Sequence, residues 1–210
     1  MKRNKKSQNS FILLELLIVI LLLSLLYNIF IPKKSDSELY KLKNSIVLQL
    51  KFLRYKALTQ SFYSKYENNW FKRVWTIKFQ RCRKSVGGVY YSIYSDKNSK
   101  GHVNRSETLK DPLTNKYIYA NNYCKSNSKD SKYTLLTKNY NIKSVKLSCN
   151  ETTSLGQISF DFYSNTYSKL GYTKNSIQTK RLDENCIIKL IDFNDKTAKI
   201  TINKTTGYIY

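Results

Sequence analysis

The stretch that most constrains this chain is FILLELLIVILLLSLLYNIFI, residues 11–31, in which Glu15 is the only charged side chain. As a helix it would measure roughly 31 Å at about 1.5 Å per residue, close to the thickness of a hydrocarbon core. The sequence therefore predicts one membrane-spanning helix. Lys2, Arg3, Lys5 and Lys6 precede it and would keep the N-terminus on the cytoplasmic side, with the remainder exported. The run ends Ile29-Phe30-Ile31-Pro32-Lys33-Lys34, without the small-residue cleavage site of a secretory signal. A carboxylate inside such a segment costs on the order of 2.5–3.5 kcal/mol, so Glu15 calls for a partner.

Beyond Pro32 the periodicity changes. Ser35 and Glu38 have capping-box spacing, and Leu39, Leu42, Ile46, Leu50, Leu53 and Ala57 recur at three- and four-residue steps. These predict an amphipathic helix over 33–66 with its apolar stripe on a core. A β-rich domain is expected over 67–210. Alternating patterns predict strands at Val74–Phe79, Val89–Tyr94, Tyr133–Leu136, Ile142–Cys149, Ile158–Phe162, Cys186–Ile191 and Ala198–Ile202. Gly87-Gly88 marks a tight connection, and Ser95–Lys116 a long exposed loop.

Cys82, Cys124, Cys149 and Cys186 all follow the apolar run. An even number on an exported side predicts two disulfides, with three connectivities open. A zinc site of four thiolates is the alternative, but no CxxC-like pair is present to favour it.

The formal charge of +23 comes from 37 Lys and Arg against 14 Asp and Glu, and Lys predominates. Lysine attracts anions without the forked geometry that arginine offers a phosphate. Residues 33–85 carry the densest surplus. There Tyr63, Tyr66, Trp70, Phe71 and Trp75 interleave with Lys65, Lys72, Arg73, Lys78, Arg81, Arg83 and Lys84. That mixture suits single-stranded DNA, through stacking and phosphate contacts. The competing expectation puts Trp75, Ile77 and Phe79 in the core and leaves the charges as a solvated face.

Convergent catalytic groups are not apparent. The single histidine, His102, sits in a polar loop and is expected to face solvent, and neither a phosphate-binding glycine loop nor an H-E-x-x-H pattern occurs. Asp161 is expected to point outward from a strand, and Asp192 and Asp195 are weak calcium candidates. The expectation is a protein without catalytic residues, cofactor or metal.

A basic leader, a small residue, Phe11, three apolar residues, Glu15, a long apolar run and Pro32 together resemble the N-terminus of type IV pilins and pseudopilins. Ser10 stands where that family usually has Gly, and Ile12 where it often has Thr. The resemblance implies that a prepilin peptidase removes a leader of residues 1–10, cutting between Ser10 and Phe11, and methylates the new amine. Residues 11–32 would then form a transmembrane and assembly helix, with Glu15 neutralising that amine and Pro32 bending the chain. The implied fold is α+β and pilin-like: a long N-terminal helix, half transmembrane and half amphipathic, packed on an antiparallel β-sheet domain. The tail, Gly156–Asp161 and Ile200–Ile209, is similar to H-type or FimT-like minor pseudopilins. The implied function is a minor pseudopilin of a type II secretion or type IV pilus-like machine, used for DNA uptake in natural transformation. Its partners would be the peptidase, other pseudopilins, an inner-membrane assembly platform, the inner membrane and DNA. Protein secretion by the same kind of filament, or a signal-anchored periplasmic binding protein that never polymerises, are the alternatives.

Overall fold

The computed structural model describes residues 7–30, 34–60, 70–125, 127–149, 155–168 and 176–210. The chain divides into two units, residues 1–37 and 38–210.

In the first unit, α1 (Ser7–Phe30) is helical throughout. Its described side chains, residues 13–27, are exposed. The transmembrane half of the expected long helix is corrected here. Among the described residues no helix is long and apolar enough to cross a membrane. Glu15 interrupts the apolar run of α1, and the uncharged stretch after it, residues 16–30, rises only about 22 Å, short of a hydrocarbon core of about 30 Å. A second helix, α2, spans Lys34–Thr59.

In the second unit the apolar stripe of α2 is buried as its spacing requires: Leu42, Ile46, Leu50 and Leu53 have no exposed surface. Burying each such side chain contributes about 1.5–3 kcal/mol relative to exposure. They form one core with the inward residues of two antiparallel sheets. The first sheet has the order β2-β1-β4-β5, from β1 (Trp75–Arg81), β2 (Val89–Tyr94), β4 (Gln157–Phe160) and β5 (Thr166–Tyr167). The second is β3-β6-β7, from β3 (Ile142–Leu147), β6 (Cys186–Asp192) and β7 (Thr197–Ile202). Ile77 and Phe79 of β1, Ile158 and Phe160 of β4, and Ile188, Leu190, Ile200 and Ile202 of the second sheet all meet in that core.

Three local expectations give way to tertiary context. The segment after β2 is exposed only in part: Glu107, Thr108, Leu109 and Asp111 are buried. It lies along the free edge of β2, where Leu109 N–H donates to Ile93 O at 2.8 Å and Ile93 N–H to Ile118 O at 3.1 Å. An edge strand leaves backbone groups unpaired, and this segment satisfies them. The expected strand at Tyr133–Leu136 is instead a 3-10 turn at Lys132–Thr134 followed by a short helix, α3 (Leu136–Tyr140). Thr134 Oγ1 donates to Ser131 O at 2.8 Å, and Asn139 Nδ2 to Lys132 O at 2.7 Å. Local side-chain bonds of this kind compete with strand pairing over so short a run. Asp161, expected to point outward, is buried. Its carboxylate accepts the Tyr163 and Asn165 N–H groups at 2.9 and 2.8 Å and the Tyr167 hydroxyl at 2.8 Å. It ends β4 and turns the chain into β5.

Candidate functional site: an exposed apolar helix and a basic sheet face

The N-terminal candidates lie on α1. Ser10 and Phe11 belong to its helical backbone, and Glu15 is exposed one turn beyond Phe11. Positions four apart on a helix share a face, so positions 11 and 15 fall on one side of α1. Leu13, Leu14, Leu16, Leu17 and Ile18, between 50% and 67% exposed, surround that carboxylate with open apolar surface. Pro32 lies outside the described residues.

The four cysteines form two disulfides, Cys82–Cys124 and Cys149–Cys186. The first ties the β1–β2 connection to the segment covering β2. The second joins the end of β3 to the start of β6, with Cα atoms 5.1 Å apart. Both pairings leave no thiolate for zinc, since there is no free cysteine.

The basic candidates near β1 spread over more than one surface. Lys65 lies outside the described residues. Lys72 and Arg73, both half-buried, occupy a 3-10 turn before β1, with Phe71 buried beside them. Along β1 the pleat sends Trp75, Ile77 and Phe79 into the core, all at most 5% exposed. Lys78 therefore projects to the opposite face, level with Ser92 and Gln157 on the neighbouring strands. Arg81, Arg83 and Lys84 are exposed around the disulfide-linked hairpin, where the Arg83 guanidinium stacks 3.8 Å over the Tyr123 ring. Trp75 is core, as the competing expectation had it, and is not available to stack on a base. His102 is exposed.

Among the described residues no group of three or more His, Cys, Asp and Glu side chains is placed to hold a metal ion. Asp192, considered for calcium, spends its Oδ1 on the Asn194 and Lys196 N–H groups at 2.9 and 2.8 Å. It builds the β6–β7 turn. Asp195 in that turn pairs with Lys143 Nζ at 3.0 Å.

The second sheet carries a basic feature that the sequence reading did not single out. Lys146 of β3 stands directly opposite Lys189 of β6, which in turn stands directly opposite Lys199 of β7. Directly paired residues share a face, and here the alternate residues Val145, Leu147, Ile188, Leu190, Ala198 and Ile200 take the core side. The lysine row therefore lies on the outer face. Only the strand register brings the lysines together, because β3 and β6 are far apart in sequence. Beside the row, residues 208–210 fold back along β7: Tyr210 and Thr201 exchange backbone hydrogen bonds at 2.8 and 3.0 Å. Tyr208 and Tyr210 are 54% and 56% exposed, stacked with ring centroids 6.2 Å apart. Lys51 Nζ sits 5.7 Å from the Tyr208 ring centre.

These features define an α+β domain of two small antiparallel sheets on one amphipathic helix, cross-linked by two disulfides. No protein-family model matches the chain, and no similar characterised protein or solved structure is found.

Proposed function

We propose that the chain is a minor pseudopilin, a non-catalytic subunit of a periplasmic filament of the type II secretion or type IV pilus kind, serving DNA uptake. The observation that carries this reading is the Ser10-Phe11 junction followed by Glu15 one helical turn later. Once a peptidase frees the Phe11 amine, the Glu15 carboxylate neutralises it, within one subunit or between neighbours. Low local dielectric among packed apolar helices strengthens that attraction. The exposed apolar surface of α1 supports the same reading, since it supplies area for neighbouring helices to cover. Two disulfides support an oxidising compartment. Without Lys2, Arg3, Lys5 and Lys6 of the leader the net charge of +23 falls to +19, a surplus that still attracts DNA.

Intact mass and N-terminal sequencing, in cells with and without the prepilin peptidase, test the reading. The expected product begins at N-methylated Phe11 only when the peptidase is present. A retained leader in both strains removes it and leaves a binding protein that does not polymerise. Glu15→Leu should be processed normally yet fail to co-assemble with other pseudopilins, and unchanged assembly would overturn the role given to Glu15. Deleting the gene and scoring transformation against secretion separates DNA uptake from protein export.

A further inference from the structure

The row of Lys146, Lys189 and Lys199 is costly to the fold. Like charges directly opposite on neighbouring strands destabilise a sheet, and here the middle lysine faces one on each side. Neighbouring cations find compensation: Lys143 pairs with Asp195 at 3.0 Å, and Lys204 Nζ donates to the Asp183 carbonyl. Among the described residues, Lys146, Lys189 and Lys199 make no ion pair with any carboxylate. Adjacent strands lie about 4.8 Å apart, so the row concentrates its charges within roughly 10 Å. Next to it, across the edge of β7, two stacked and half-exposed tyrosine rings lie on the strand that extends the same sheet. A row of cations flanked by exposed rings is the combination that holds a single strand, with phosphates on the ammonium groups and bases on the π-faces.

We infer that the outer face of the β3-β6-β7 sheet, with the lysine row Lys146–Lys189–Lys199 and the ring pair Tyr208–Tyr210, is a binding site for single-stranded nucleic acid. This deepens the DNA-uptake part of the function proposed above and rests on it, while moving the contact away from β1. The exposed stacked rings select a single strand over a duplex, whose bases are already stacked on one another. The three ammonium groups bind the backbone without reading sequence.

The experiment is fluorescence anisotropy of a labelled thymidine oligonucleotide of about 16 nucleotides, titrated with the full-length chain in neutral detergent over a series of salt concentrations. Lys146→Gln/Lys189→Gln/Lys199→Gln should bind at least about ten-fold more weakly at low salt, with the slope of log K against log salt shallower by about 2. Tyr208→Leu/Tyr210→Leu should weaken binding roughly ten-fold with the slope unchanged. Arg81→Gln/Arg83→Gln/Lys84→Gln is the control and should bind as the parent does. The lysine variant should melt at the same temperature or higher, because it removes like-charge pairs from an exposed face. Loss of binding in the control variant but not in the lysine variant would overturn the inference and leave DNA uptake standing. A parent chain that binds no oligonucleotide would remove both, while processing at Phe11 would still support a filament subunit. A lysine variant that loses binding only to phosphatidylglycerol vesicles, and keeps the oligonucleotide, would overturn the inference in favour of a lipid surface.

Discussion

Gln49 Nε2 donates a hydrogen bond of 2.7 Å to Asp111 Oδ2 across a sequence separation of 62 residues. Both side chains are buried, at 1% and 2% exposure. The amide oxygen of Gln49 accepts the Tyr91 hydroxyl at 2.7 Å, and Ser131 Oγ donates to the same Asp111 oxygen at 3.1 Å. One polar network thus links α2, β2 and the segment that covers the edge of β2. Gln49→Ala would leave a carboxylate and a phenol buried without that partner, at a cost of about 2–4 kcal/mol. Urea denaturation of the variant against the parent chain measures it. A change below about 0.5 kcal/mol, typical of a surface site, would show that the network is not a structural link.

Tyr91 also sets an alkaline limit on stability. Burial, reinforced by the Asp111 carboxylate, raises its pKa well above the ordinary tyrosine value. Burial also raises the half-buried Tyr140 and the buried Tyr167, with the hydrogen bond to Asp161 adding to the effect on Tyr167. A tyrosine whose folded pKa is raised holds its proton in the native state after the unfolded chain has lost it. Its contribution is complete below the unfolded value of about 10 and is lost as pH rises from there through the folded pKa. Unfolding midpoints should therefore fall above about pH 10, and Tyr91→Phe should flatten that fall. Midpoints measured by circular dichroism from pH 8 to 12 check the sign.

The Cys149–Cys186 bridge closes a loop with a sequence separation of 37 residues. Chain-entropy arguments give about 4 kcal/mol for a loop of that size. Cys149→Ala/Cys186→Ala should lose a few kcal/mol of that order in urea under oxidising conditions. Added reductant should then lower the parent chain further than it lowers this variant, because only one bridge remains to be broken in the variant.

Gly207 takes φ of +63°, and a Cβ there would lie 3.0 Å from the Ser164 carbonyl oxygen and 3.3 Å from the Phe160 ring. It closes the turn in which its N–H donates to Asn203 O at 2.9 Å and Asn203 Oδ1 accepts the Thr205 and Thr206 N–H groups, each at 3.0 Å. Gly207→Ala meets both the left-handed backbone penalty and the contact with a backbone atom, which together cost about 1–3 kcal/mol. The loss should localise to the tail: hydrogen exchange at Tyr210 should speed up more than at Ile188 or Leu190.

Much of the architecture was legible from residue spacing. The α2 stripe of Leu42, Ile46, Leu50 and Leu53 follows helical periodicity, and β2 was placed at its observed bounds because Val89–Tyr94 is rich in aromatic and β-branched residues between turn signals. From sequence, Asp161 and the buried part of the segment from Ser95 onward read as solvent-facing, because polar residues do so unless a partner is visible. Their partners are backbone N–H groups and an open strand edge that local sequence does not reveal. Tyr133–Leu136 reads as a strand yet folds as a 3-10 turn and the start of α3, because four residues are too few for period to outweigh local hydrogen bonding.

By itself the sequence determined which face of α2 is apolar, where most strands lie to within a residue or two, and the Phe11-to-Glu15 spacing on which the assembly reading depends. These are properties of a few consecutive residues and follow from helix and strand geometry. Tertiary structure decided which cysteines pair, what covers the edge of β2, and that Lys146, Lys189 and Lys199 meet in one row. Each of those depends on the register between strands distant in the chain. Register is set by the fit of two buried surfaces, so no local pattern around any one lysine contains it.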